Sequence, residues 1–160
     1  MEYVYKPNEK SCSTFNKWKP SSVRYVGSPT DFRADSITLY TGVYFQADEE
    51  YIFKDTPTLM LDKMASSLII TGSSQWTLYD GPNHQGNSVC VVASNKFPPI
   101  PIFIPDTTHL NVKVAHKTIR SIKKGCFGTK AFIPGQESLI DLSDTTGSAT
   151  GLVSGLLGKK

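Results

Sequence analysis

Three cysteines, three histidines and a run of lysines are the residues of this 160-residue chain whose chemistry needs weighing first. Cys12, Cys90 and Cys126 contain no Cys-x-x-Cys pair of the redox or zinc-binding kind. His84, His109 and His116 share no metal-ligand spacing with each other or with a cysteine. Catalysis needs a nucleophile, a base and something to hold developing charge. The chain has no Gly-x-Ser-x-Gly elbow, no His-Glu-x-x-His helix and no Gly-rich loop ending in Gly-Lys-Ser/Thr. An enzyme is therefore not expected, nor is a cofactor or a metal. By spacing alone the thiols read equally as three buried cysteines or as a Cys90–Cys126 disulfide with Cys12 left over.

Charge gives a second candidate site. Between Asp106 and Glu137 there is no acidic residue, while Lys113, Lys117, Arg120, Lys123, Lys124 and Lys130 all fall there. One reading is a solvated strand face balanced by Asp48, Glu49 and Glu50. The other is a patch that meets an unidentified protein, an anionic glycan or an anionic lipid surface, chiefly through Lys113, Lys123 and Lys124. Nucleic acid is not expected, because the net charge is only +3 and no aromatic platform interleaves with the lysines. A third candidate is the run from Lys96 to Pro105, with four prolines among Phe97, Ile100, Ile102, Phe103 and Ile104. Proline cannot donate to a ladder, so the run reads as an edge or an extended loop. Its apolar residues either lie on the domain's own surface or grip a partner.

The elements that must position these residues are short strands. Thr, Ser, Val, Ile and Tyr are frequent, and 12 glycines and 10 prolines punctuate them. Strands are expected at Ile37–Tyr40, Tyr51–Phe53, Ser67–Thr71, Gln75–Tyr79, Ser88–Val92 and Leu110–Val114. No amphipathic helix period persists over three turns, and no apolar run approaches the roughly 20 residues of a membrane span. An internal repeat links Asp62-Lys-Met-Ala-Ser-Ser-Leu68 to His116-Lys-Thr-Ile-Arg-Ser-Ile122. An aromatic hairpin precedes each copy: Tyr40 to Ala47, and Tyr79 to Gly86. Two such units predict two Greek keys and an all-β sandwich.

At this point the chain resembles the βγ-crystallin family, whose Greek key carries an aromatic, six residues, a glycine and a late serine. Tyr79, Gly86 and Ser121 match in the second unit; Tyr40 and Ser67 match in the first, where Ala47 stands in the glycine's place. A strained or differently shaped first hairpin is expected from that alanine. The resemblance implies a rigid, non-enzymatic structural or binding module, of a single-domain secreted type. It also implies the Cys90–Cys126 disulfide. The family's calcium motif reads Asn/Asp-Asn/Asp-x-x-Ser/Thr-Ser. Laid on the repeat, it leaves Asp62 and Ser66 but puts Lys63, Lys117 and Arg120 at other ligand places, so calcium sites are expected to be degenerate.

The expected organisation is an N-terminal extension over 1–36, a domain over 37–128 and a Gly/Ser/Thr-rich tail over 129–160. The extension holds Tyr3, Tyr5, Phe15, Trp18, Tyr25 and Phe32, too aromatic for a solvated tail, and is expected to pack on the domain, with an added strand through Val23–Val26. The tail reads as a flexible end or as a short lipid-adsorbing segment finishing in Lys159 and Lys160. An extracellular site is expected, with the leader replaced by a start Met; a cytosolic one is the alternative. The leading functional reading is an extracellular structural or binding module. The alternative is a membrane-active, toxin-like defence protein that uses the basic face and the tail.

Overall fold

Aliphatic residues at every second position give each central strand a side that faces the opposite sheet. In the computed structural model, which describes residues 25–31, 33–93, 100–110, 114, 116–134 and 139–142, nine strands form two layers. They are β1 Ser36–Tyr40, β2 Glu49–Ile52, β3 Ser67–Thr71, β4 Trp76–Tyr79, β5 Ser88–Val91, β6 Ile102–Ile104, β7 Ser121–Lys124, β8 Lys130–Phe132 and β9 Ile140–Asp141. The first sheet runs β2-β1-β3-β6 and the second β7-β4-β5-β8-β9. Each unit donates one piece to the other sheet. β6 of the second unit pairs with β3, while Thr56 of the first forms a bridge to Ile122 in β7. The architecture is a βγ-crystallin-like sandwich of two interlocked Greek keys.

Facing sides of the sheets supply the core. Ile37, Leu39, Leu68, Ile70, Ile102 and Ile104 meet Trp76, Leu78, Val89, Val91 and Ile122, and all are buried. Fully burying one such side chain contributes about 1.5–3 kcal/mol. The outer side of the first sheet is apolar too: Tyr40, Phe45 and Ile69 cluster there, with Val26 and Phe103 packed against them.

At Ile102 and Phe103 the structure takes the edge rather than the extended loop, and two other expectations need correction. The prolines flank a three-residue edge strand whose Ile102 and Ile104 point into the core, and Phe103 packs edge-on to Phe45 with ring centroids 6.0 Å apart. The second sheet does not stop at 128, because β8 joins β5 in parallel and β9 joins β8. Leu110 closes a 3-10 turn, Thr107–Leu110, instead of opening a strand. Residues 111–113 of that expected strand, with Lys113, lie outside the described residues, as do Phe97, Cys12, residues 1–24 and the tail from 143. Tyr25 and Val26, the described end of the expected strand at 23–26, are not in a strand.

Candidate functional site

The two hairpins have one backbone shape. Tyr44 and Phe45 in the first lie at φ 55° and 61°, and Asn83 and His84 in the second at φ 55° and 61°. The hairpins then turn through Ala47 at φ 67° and Gly86 at φ 86°. Ala47 therefore does not reshape the first hairpin; it takes the left-handed conformation that glycine adopts more readily. The late serines hold both folds. Ser67 Oγ donates to Gly42 O at 2.6 Å and accepts from Phe45 N at 2.9 Å. Ser121 Oγ donates to Gly81 O at 2.6 Å and accepts from His84 N at 3.0 Å. Tyr40 lies against Phe45, and Tyr79 against His84, at 5.8 and 5.7 Å between ring centroids. Burial raises the Tyr79 hydroxyl's pKa, with a smaller push from the Asp55 charge.

Between the units, the repeat copies face each other. Lys63 N donates to Ile119 O at 2.9 Å, and Lys117 N donates to Ala65 O at 3.0 Å. Both lysines are left-handed, at φ 58° and 56°. From the second copy Arg120 reaches across to the first. Its Nε donates to Asp62 Oδ1 at 2.9 Å and its Nη2 to Oδ2 at 3.0 Å, the two-pronged geometry that suits guanidinium to carboxylate. Hydrogen bonds from Arg120 hold the Asp62 carboxyl below its usual range, against some burial, with added pull from the Arg120 and Lys63 charges. Ser66 Oγ is turned away, donating to Thr41 O at 2.7 Å. Glu50, which sequence reasoning placed on the surface opposite the lysines, is buried; its carboxylate accepts from Met60 N and Leu61 N at 3.1 and 2.9 Å and braces the loop that carries Asp62.

Glu49 accepts from the Tyr51 hydroxyl at 2.7 Å, and Glu50 is committed as described. Lys124 reaches Asp35 at 2.9 Å. Burial pushes the Asp35 carboxyl up, but hydrogen bonds from the Ser74 hydroxyl, the Lys124 ammonium and the amides of Ser73 and Ser74 outweigh it and hold the pKa at about 2. No local sequence signal marks Asp35, because its partners lie 38 and 39 residues away in the β3–β4 turn. Lys123 sits over the Phe127 ring, 4.4 Å from its centroid. That ring is 58% exposed, and its loop is fixed by Thr77, whose Oγ1 donates to Gly125 O and accepts from Phe127 N. Of the other apolar contact candidates, Ile100 remains exposed.

Cys90 and Cys126 are bonded, with Cα atoms 5.2 Å apart. The bond closes a second, smaller apolar cluster of Cys90, Val92, Ala131 and Ile133, with Cys126, Ile140 and Leu142 packed against it.

No protein-family model matches the chain, and no curated protein does. Among solved structures, a βγ-crystallin from an archaeon is 18% identical, over 57% of this chain and 98% of that one, with a TM-score of 0.47. A βγ-crystallin from Ciona intestinalis is 18% identical over 56% and 98%, with a TM-score of 0.46. IPSE/alpha-1 from Schistosoma mansoni eggs is 22% identical over 57% and 84%, with a TM-score of 0.42.

Proposed function

We propose that the chain is an extracellular, non-enzymatic binding module whose paired loops are closed by a salt bridge in place of calcium. The observation that supports this reading is the Arg120–Asp62 pair. Arg120 occupies a ligand place of the second motif copy and brings its cation to the one carboxylate that the first copy keeps. A guanidinium already on that carboxylate opposes a divalent ion by charge. Lys63 and Lys117 add to the same repulsion. Calorimetric titration of the full chain with calcium tests the reading. No heat of binding and an unchanged melting temperature are expected; binding tighter than about 100 μM, the tight end of the range of extracellular calcium modules, would overturn it. In Lys63→Asp/Arg120→Ser, which returns oxygen ligands to one site, calcium is expected to raise the melting temperature.

Contact with an anionic partner then falls to Lys123 and the exposed Phe127 ring beneath it, since Lys124 and Arg120 are engaged within the fold. Aromatic and cationic side chains on a rigid base lose little entropy when they are covered. The Cys90–Cys126 bond supports an oxidising, extracellular setting.

A further inference from the structure

The Cys90–Cys126 disulfide joins one hidden residue to one that solvent reaches. Cys90 is fully buried in the smaller apolar cluster, whereas Cys126 is only half-buried, in a loop seated on β5. That loop is fastened on every side. Gly125 N donates to Gln75 O at 2.7 Å, Thr77 Oγ1 bonds the backbone before and after Cys126, and a Cβ on Gly128 would come within 3.0 Å of Cys90 N. A cation stands beside the half-buried sulfur: Lys123 keeps its ammonium over the ring of Phe127, the residue next to Cys126. Access and nearby positive charge decide where a thiolate attacks. Behind the bond, Cys90 Sγ lies 3.9 Å from Gln75 Oε1. A disulfide sulfur has no hydrogen to donate, so this oxygen gains a hydrogen bond only when Cys90 is released as a thiol.

We infer that Cys126 is a thiol-exchange site and that its bond to Cys90 is a redox latch on β8 and β9. An incoming thiolate forms a new S–S bond to Cys126 Sγ. The Cys126–Cys90 bond breaks, its electron pair leaves with Cys90, and Cys90 takes up the proton that the thiol gave to solvent. One thiol is consumed and one is produced, so no further oxidant or reductant enters. Cys90 attacks back and expels the thiol when the thiol is withdrawn, which closes the latch again. What the latch holds is short: β8 and β9 are three and two residues long. Phe132 and Leu139 touch the main core, while Ala131, Ile133, Ile140 and Leu142 rest on the cluster that the disulfide closes. Once β8 and β9 lift, β5 becomes the border of the second sheet, a strand-pairing surface that the closed form covers.

Glutathione is the probe, added without denaturant to the full chain carrying Cys12→Ser so that the pair alone reacts. After brief exposure and acid quenching, peptide mass analysis should find glutathione several-fold more often on Cys126 than on Cys90, with Cys90 as the free thiol. Val92 N donates to Phe132 O at 3.0 Å, so its amide reports the opening. In excess glutathione the exchange of that amide should quicken several-fold while β1 and β3 stay unchanged. Glutathione shared equally between the two cysteines, or no adduct at all, would overturn the inference. So would an adduct rate that Ile102→Ala raises in step with global unfolding, since the reaction would then belong to unfolded molecules. Val92 exchange that glutathione leaves unchanged would overturn it too, by showing that the bond latches nothing.

Discussion

Ala47 holds φ 67° without glycine's freedom, at the turn where the second hairpin has Gly86. The left-handed conformation costs an L-residue roughly 1–2 kcal/mol, and glycine's greater unfolded freedom returns about 0.4–1 kcal/mol of that. Ala47→Gly should therefore raise stability by about 0.5–1 kcal/mol, read as a higher urea midpoint at constant slope. Asp35 gives a pH prediction. Its carboxyl is held at about 2 in the folded chain, below the ordinary aspartate value of 3.8. A depressed folded pKa contributes stability that is complete above 3.8 and is lost as pH falls toward 2. The largest effect is about 2 kcal/mol. Asp35→Asn should thus be less stable than the parent at pH 7, with the gap closing between pH 4 and about 2 in matched denaturant melts. At this scale the sequence shows local signals only. Gly86 and the late serines stand at fixed offsets from an aromatic, whereas Asp35, Glu50 and Thr77 act on backbone groups brought to them by the fold.

Among the elements, β6 was concealed by its own prolines. Pro98, Pro99, Pro101 and Pro105 mark a segment that cannot serve as a central strand, and β6 is indeed a border strand. Its inward faces still belong to the core. Ile102→Ala should accordingly cost about 2–5 kcal/mol in equilibrium unfolding, a loss that an exposed loop would not show. β8 and β9 were illegible for another reason: each is two or three residues long, and the pairing of β8 with β5 is non-local. The Cys90–Cys126 bond anchors this appendage. Closing a loop of 36 residues is worth about 3–4 kcal/mol on the chain-entropy account. Cys126→Ser should speed amide exchange in β8 and β9 far more than in β1 or β3, because those strands rest on the main core rather than on the smaller cluster. Uniformly faster exchange across both sheets would show that the appendage is integral to the core.

For the whole molecule, the repeat foretold two equivalent units, and the structure shows them interlocked, each completing the other's sheet. A single-sequence pattern gives unit count but not exchange of strands, since exchange is decided by which sheet border a late strand meets. The salt-bridged loops lie between these units, and so bear on how the halves hold together. Arg120→Ala should lower the melting temperature equally with and without a chelator, a result that separates a salt bridge from a displaced metal.

The exchange of strands has one more consequence. A peptide bond cut in the β3–β4 turn, near Ser73, would leave an N-terminal piece with β1–β3 and the Thr56 bridge, and a C-terminal piece with β4–β9. The N-terminal piece lacks the β6 border of its sheet, and the C-terminal piece lacks the Thr56 bridge on β7. β6 would stay seated beside β3 and Thr56 beside β7, so the nicked protein should travel as one particle. Separately made pieces should be poorly folded alone and should recover the native form when mixed, turning a single chain into an obligate pair of complementary fragments.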